Sequence, residues 1–362
     1  MIMIDRNIYN LLGLSFDAVD MQQTVRAIRK AIEDDKQLFL STPNLNFLIA
    51  SQKNKAFQQS VLNSDLSIAD GMPIVFMCKL LNIPIKERVA GSSLIDQLRN
   101  NEQCKKKPIK VFFFGGQDGI AEKAHNVLLQ ENAGLKSVGF LNPGFGTLDD
   151  MSSEKVINKI NKAGPEFIIV SLGAQKGQAW IEENRQKLHA NVISHLGAVV
   201  NFIAGNVKRA PIWVQKLHME WLWRIKEEPQ LFARYWQDGT EFIKLLISNI
   251  LPCRSIIKRS RGHTSAFIDK DLAKNHMTLK GDITAIKYNE IKDILSQMIQ
   301  NKKDIKIDFA GVSYIDQSIL GLLLSCWVDM DQINCHLNIT NANSFIMRIF
   351  QLNNLNFMVQ KT

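Results

Sequence analysis

No stretch of the 362 residues reaches the roughly 18 consecutive apolar residues that a membrane-spanning helix needs. The most apolar run, residues 242–251, is interrupted by Lys244. Residues 1–10 lack a basic stretch followed by an apolar core, so no secretory leader is expected. Cysteine is scarce: Cys78, Cys104, Cys253, Cys326 and Cys335 are odd in number and never spaced as C-x-x-C. That excludes a disulfide scaffold and points to reduced thiols in a cytoplasmic chain. The seven histidines include no H-x-x-x-H pair, so no metal ligand set is expected. There is no G-x-S-x-G and no pattern of a Ser-His-Asp hydrolase. With 46% hydrophobic and 22% charged residues, disorder is excluded as well.

What is present is uneven charge. Residues 205–262 hold 11 Lys and Arg against 5 Asp and Glu, which is +6 of the chain's net +9. Four of the six tryptophans, Trp213, Trp221, Trp223 and Trp236, lie in the same stretch. Basic side chains interleaved with Trp suit a phosphorylated ligand, an acidic polymer or an anionic membrane surface. No recognised nucleic-acid motif accompanies the charge, so no nucleic-acid partner is expected.

The length suggests two or three domains. Over residues 1–204, short apolar runs (38–40, 111–114, 167–171, 192–194) alternate with helical stretches (21–34, 46–61, 121–130). This alternation predicts an α/β domain built on a mainly parallel sheet, whose ligands gather at the carboxyl ends of the strands. Residues 205–252 read as a helical, basic, Trp-rich appendage, with Trp213, Leu217, Trp221 and Ile225 on one stripe and a break at Pro229. Residues 253–264 read as an exposed linker. Residues 265–362 read as a smaller α/β domain, with strands at 305–309 and 337–340 and helices at 317–330 and 344–352.

Several motifs fall at predicted strand ends. Thr42-Pro43-Asn44 presents a hydroxyl and an amide after the first strand, or else supplies a helix N-cap. Ala69-Asp70-Gly71 places a carboxylate beside a glycine; it suits a general base, and equally a common turn. Gly115-Gly116, between a strand and a helix, suits phosphate at a helix N-terminus, although the dinucleotide and P-loop fingerprints are incomplete. Arg88, Arg209, Arg224 and Arg234 are either solvated arginines or contacts to a pyrophosphate.

In order and spacing, Thr42-Pro43-Asn44, Ala69-Asp70-Gly71, Arg88-Val89-Ala90-Gly91, Phe114-Gly115-Gly116, Leu172-Gly173-Ala174, Phe202-Ile203-Ala204-Gly205 and Arg209-Ala210-Pro211 through Glu220-Trp221-Leu222-Trp223-Arg224 resemble the WecG/TagA/CpsF glycosyltransferases. The resemblance covers about residues 8–250. It implies a Rossmann-like catalytic domain that moves a hexose or N-acetylhexosamine from a UDP-sugar to a polyprenyl-diphosphate-linked sugar with inversion. The setting it implies is bacterial cell-surface polysaccharide synthesis, at the inner face of the cytoplasmic membrane and without a metal or other cofactor. Asp70 then matches the proposed base, Thr42 and Asn44 line the site, and Arg88, Arg224 and Arg234 serve the substrates. The chain departs from the family where Gly177 aligns with a site glutamine, where Asn201 replaces an aspartate, and where a further appendage arginine aligns near Leu231. Gln178 is the expected substitute for the missing amide. Val312-Ser313-Tyr314-Ile315-Asp316-Gln317-Ser318 resembles a STAS domain. Gln317 stands at its phosphorylated position, which implies a partner-docking module and not a phosphoswitch. A non-catalytic nucleotide-sugar sensor signalling through that domain is the alternative reading.

Overall fold

The computed structural model describes residues 3–208, 210–216, 219–259 and 265–359. Its contacts divide the chain into two units. The larger comprises residues 19–72 and 87–240, and the smaller 1–18, 73–86 and 241–362.

The larger unit is built on a six-stranded sheet, in spatial order Leu66–Ser67, Leu38–Ser41, Val192–His195, Phe167–Ser171, Ile109–Gly115, Leu135–Leu141, all parallel. Helices cover both faces, which is why the central strands are apolar throughout and do not alternate. Successive side chains still separate by face. Val111, Phe113, Phe167, Ile169 and Val192 enter one core. Phe112, Phe114, Ile168, Val170 and Ile193 enter the other, where Trp180 stacks on Phe114 with ring centroids 4.1 Å apart. The four expected strands are present. The two that the apolar runs do not reveal are the two-residue Leu66–Ser67 and the edge strand Leu135–Leu141, half of which is only partly buried.

Local signals set the helices. Asp20 and Gln23 form a capping box at the start of Met21–Glu33. The single helix expected over 46–61 is two, Leu45–Lys53 and Lys55–Leu62, because Asn54 turns extended and its side chain caps the second through Phe57 N. In the basic segment, Ile212–Lys216 and Glu220–Glu227 are helices, and the expected break occurs at Pro229–Leu231 before Phe232–Leu245. Leu217, one member of the predicted stripe, lies outside the described residues.

The smaller unit differs from the expected boundaries, since it joins both ends of the chain. Its four-stranded sheet runs Leu337–Thr340, Ile305–Ile315, His276–Ile283, Phe267–Asp271. Only the Phe267–Asp271 edge is antiparallel. The helix Gln317–Gln332 buries 13 of its 16 residues, counting those at both of its faces. The N-terminal hairpin Ile8–Leu11/Leu14–Asp17 packs against it. The hairpin turns through Leu12 (φ 51°) and Gly13 (φ 89°), the left-handed pair that suits a tight hairpin. Asp329, on the helix, accepts Met3 N at 2.7 Å and Ile4 N at 2.8 Å. Gly321 is required by this packing, because a Cβ there would lie 2.2 Å from the Ile8 carbonyl oxygen.

Residues 253–264 were expected to be an exposed linker. Residues 253–259 instead continue the helix Leu251–Arg259, with Cys253 buried and Arg254 bonded to the Leu80 carbonyl at 3.2 Å; residues 260–264 lie outside the described residues. The apolar positions Cys253, Ile256 and Ile257 outweigh the basic ones that suggested a linker. At the STAS-like motif, Asp316 caps the helix through Ile319 N and accepts from Ser318 Oγ at 2.6 Å. Ser318 is 8% exposed, so its hydroxyl is a structural group here. No helix among the described residues is long and apolar enough to cross a membrane.

Candidate active site

A cleft of about 720 Å³ opens in the larger unit at the carboxyl ends of the central strands, where open α/β sheets hold ligands. It is walled on the other side by residues of the basic segment, among them Lys208, Glu220, Trp223, Glu228 and Tyr235. Thr42, Asn44, Asp70, Arg88, Gly116, Arg224 and Arg234 all line it, so widely separated motifs converge on one space.

Asp70 follows the short strand Leu66–Ser67, and Gly71, at φ 133°, turns the chain away immediately after it. Backbone bonds fix the position: Asp70 N donates to the Pro43 carbonyl at 3.1 Å, and Val89 N to the Ala69 carbonyl at 2.9 Å. The carboxylate accepts Gly91 N at 3.3 Å, at the first residue of the helix Gly91–Asn100, whose own cap, Ala90, has no side chain to offer. Gly91 lies close to Leu196, whose Cδ2 would have to shift for a Cβ, 2.7 Å away, to fit. Burial pushes the Asp70 carboxyl up to about 6. Arg88, the Gly91 amide and Arg224 pull it down, and the nearby Glu220 carboxylate adds to the rise.

Arg88 is ion-paired with Glu220 of the helix Glu220–Glu227. Arg224 pairs with Glu228 at 2.8 Å and lies over the Phe202 ring, 5.7 Å from its centroid. Arg234 lies over Tyr235 at 5.2 Å. Arg88 and Arg224 are therefore held in the cleft by acidic or aromatic neighbours, whereas Arg234 is exposed at its rim. Asn44 lines the cleft and also caps Leu45–Lys53 through Phe47 N at 3.1 Å, so both readings of that residue hold. Thr42 is buried beside it.

Three expected site residues are placed differently. Gln178 does not reach the cleft; it is fully buried and donates to Ser41 Oγ at 2.6 Å. Adjacent helical residues point about 100° apart, so the neighbour of a cleft-facing position faces the core. Gly115 does not line the cleft. It has φ 87° and sits where a Cβ would lie 2.8 Å from the Ser171 carbonyl, which makes it a close-packing glycine. Gly116 lines the cleft, but its N–H donates to that same carbonyl at 2.7 Å and is not available to a phosphate. Arg209 lies outside the described residues.

The cleft also holds His195, which no motif singles out. His195 ends its strand 9% exposed, with Nε2 2.6 Å from the Leu172 carbonyl oxygen. Gly177, inside the helix Ala174–Asn184, has no left-handed geometry to explain it and costs about 1 kcal/mol against Ala there. Its explanation is contact: a Cβ would lie 2.2 Å from His195 Cδ2. The one sequence signal for the histidine was thus a glycine in the middle of a helix.

A partly buried carboxylate and three arginines thus share one cleft at the strand ends of a doubly covered parallel sheet. The chain belongs to the family described as "Glycosyl transferase WecG/TagA/CpsF family", whose model matches residues 9–255, and it is a glycosyltransferase. Residues 266–360 match the family described as "Mlab, STAS domain". Among similar proteins is an N-acetylglucosaminyldiphosphoundecaprenol N-acetyl-beta-D-mannosaminyltransferase of Bacillus spizizenii. It is 26% identical over 203 residues, covering 56% of this chain and 76% of the relative. A protein of the same description from Staphylococcus aureus (strain NCTC 8325 / PS 47) is 27% identical over 220 residues, covering 59% of this chain and 83% of the relative.

Proposed function

We propose that the enzyme transfers a hexose or N-acetylhexosamine from a UDP-sugar to a polyprenyl-diphosphate-linked sugar, with inversion and with Asp70 as general base. The observation that carries this reading is the Asp70 carboxyl, raised to about 6 on the wall of a cleft that also holds Arg88, Arg224 and Arg234. A base works best when its proton affinity lies near the operating pH, because it is then ionised and still able to accept. In the proposed step Asp70 takes the proton of the acceptor hydroxyl as that oxygen bonds to the anomeric carbon. The bond from that carbon to the diphosphate breaks on the opposite face, and UDP leaves with the electron pair. The arginines neutralise the charge that gathers on the departing diphosphate, a role that asks for no metal ion.

The acceptor class is supported by the two relatives, whose printed descriptions name a diphosphoundecaprenol-linked sugar. A lipid-linked acceptor also gives a use to the exposed Trp213, Trp221 and Trp236, which together with the surrounding Lys and Arg suit the surface of an anionic bilayer. The setting proposed is therefore peripheral, on the inner face of the cytoplasmic membrane, in synthesis of a cell-surface or exported polysaccharide. The STAS-like domain is proposed to bind a protein partner.

The test is UDP release from a panel of UDP-sugars, with and without a short-chain polyprenyl-diphosphate-sugar, for the wild type and Asp70→Asn. Acceptor-dependent release that collapses in the variant and survives a chelator is the expected result. Release that is independent of acceptor, or unchanged in Asp70→Asn, would remove the assignment.

A further inference from the structure

His195 stands at the carboxyl end of a central strand, nine-tenths buried and lining the cleft. Two glycines make its place. Gly177 meets the Cδ2 edge of the ring, and a Cβ at Gly197 would lie 3.3 Å from Nε2 and 3.5 Å from Cε1. The Leu172 carbonyl oxygen, 2.6 Å from Nε2, can only accept a hydrogen bond, so Nε2 carries the ring proton and Nδ1 is left with a lone pair. Nδ1 has no hydrogen-bond partner among the described residues, and it is not among the ring atoms nearest to either glycine. Burial holds the imidazole below its ordinary proton affinity, which keeps that lone pair available at neutral pH.

The chemistry of a bare nitrogen acceptor selects its ligand. Diphosphate oxygens only accept and would be repelled, and the cleft already supplies them with Arg88, Arg224 and Arg234. What fits Nδ1 is an O–H or N–H donor on a neutral group. Sugar hydroxyls and an acetamido N–H are such groups, and both the donor and the acceptor of the proposed reaction carry them. The depth of His195 favours the donor, a small soluble molecule that can sink to the strand ends before a lipid-linked acceptor closes over it.

We propose that His195 Nδ1 accepts a hydrogen bond from a hydroxyl or amide N–H on the sugar of the nucleotide donor, and that Gly177 is glycine in order to admit the ring. The pair is then a specificity element: His195 replaces, from the neighbouring strand, a contact that a side chain at position 177 could otherwise have made. This rests on the nucleotide-sugar reading above.

The experiment is calorimetric titration of the full chain with UDP, UDP-glucose, UDP-N-acetylglucosamine and UDP-N-acetylmannosamine. It compares the wild type with His195→Leu, His195→Asn and the double variant Gly177→Gln/His195→Gly, each checked for an unaltered melting profile. The wild type is expected to bind one sugar nucleotide more tightly than UDP. His195→Leu should lose about 3–10-fold of that affinity with UDP binding unchanged, the size of one hydrogen bond. His195→Asn, whose Oδ1 can stand near the place of Nδ1, should recover part of the loss. The double variant, which moves the polar group to the helix and removes the clash, keeps the test available if the leucine variant does not fold. It should bind UDP normally and change which sugar is preferred.

Equal losses for UDP and UDP-sugar would mark His195 as merely structural and overturn the proposal. So would unchanged affinity in every variant. A wild type that binds none of the four ligands would remove the nucleotide-sugar reading itself, and this proposal with it; the other failures leave that reading standing.

Discussion

At Asp70 the raised proton affinity has two measurable consequences. The rate of transfer should rise with pH through about 6, as the carboxyl ionises, and Asp70→Asn should lower kcat by about 10²–10⁴-fold. Stability should move the opposite way. A carboxyl that holds its proton more tightly folded than unfolded contributes fully below about pH 4, and that contribution is lost as pH rises through about 6. Asp70→Asn is therefore expected to stabilise the protein at pH 7.5 by up to about 3 kcal/mol and by little at pH 4, as read from urea midpoints at both values. Equal effects at both pH values would show that the carboxylate is not strained in place. Arg88→Lys should weaken UDP binding about tenfold, because an ammonium cannot hold Glu220 and a diphosphate in one plane; titration with UDP checks it. That Asp70, Arg88, Arg224 and Arg234 line one cleft was legible because each sits in a short pattern, after a predicted strand, beyond a proline-marked loop or on a helix. Gln178 misled because the helical phase was not fixed: its neighbour at 177 faces His195, and Gln178 faces Ser41. His195 stayed hidden because its role depends on a glycine eighteen residues earlier and on a carbonyl in another strand's loop, a relation that only the folded chain creates.

Among elements, apolar continuity revealed the four strands that are covered on both faces, and it failed where coverage fails. The edge strand Leu135–Leu141 mixes Lys136, Ser137 and Gly139 into its run, since one side of it meets solvent or a helix end. The helix boundary at Asn54 was missed for a different reason. Residues 51–55 are all polar, so apolar spacing says nothing there, and the cap bond to Phe57 N is what shows that the chain restarts. In the smaller unit the decisive contact is Gly321 against the Ile8 carbonyl. Gly321→Val should cost about 1–3 kcal/mol by overpacking and release the hairpin. Hydrogen exchange should then quicken at residues 8–17 while the sheet of the larger unit keeps its protection. Uniform acceleration throughout would mean that the contact has no local role.

For the whole molecule, charge and aromatic content were informative from composition alone, since they pointed to the segment that walls the cleft. Trp213, Trp221 and Trp236 are 63%, 48% and 69% exposed. Replacing these three by serine is expected to reduce co-sedimentation with anionic vesicles several-fold while calorimetric UDP binding is retained, because none of them lines the cleft. Vesicle binding equal to the wild type would detach the tryptophans from the membrane. What composition could not reveal was that the smaller unit is assembled from residues 1–18, 73–86 and 241–362. The hairpin Ile8–Asp17 is synthesised well before the helix that covers it, Gln317–Gln332. At about 5–20 residues per second the hairpin waits roughly 15–60 s for its partner. Throughout that interval Ile8, Leu11, Leu14 and Phe16 lack the helix they pack against in the folded chain, and a chain cut short before it never supplies one. A copy cut short before that helix therefore keeps an exposed apolar hairpin, and the smaller unit can close only once residues 317–332 have been made.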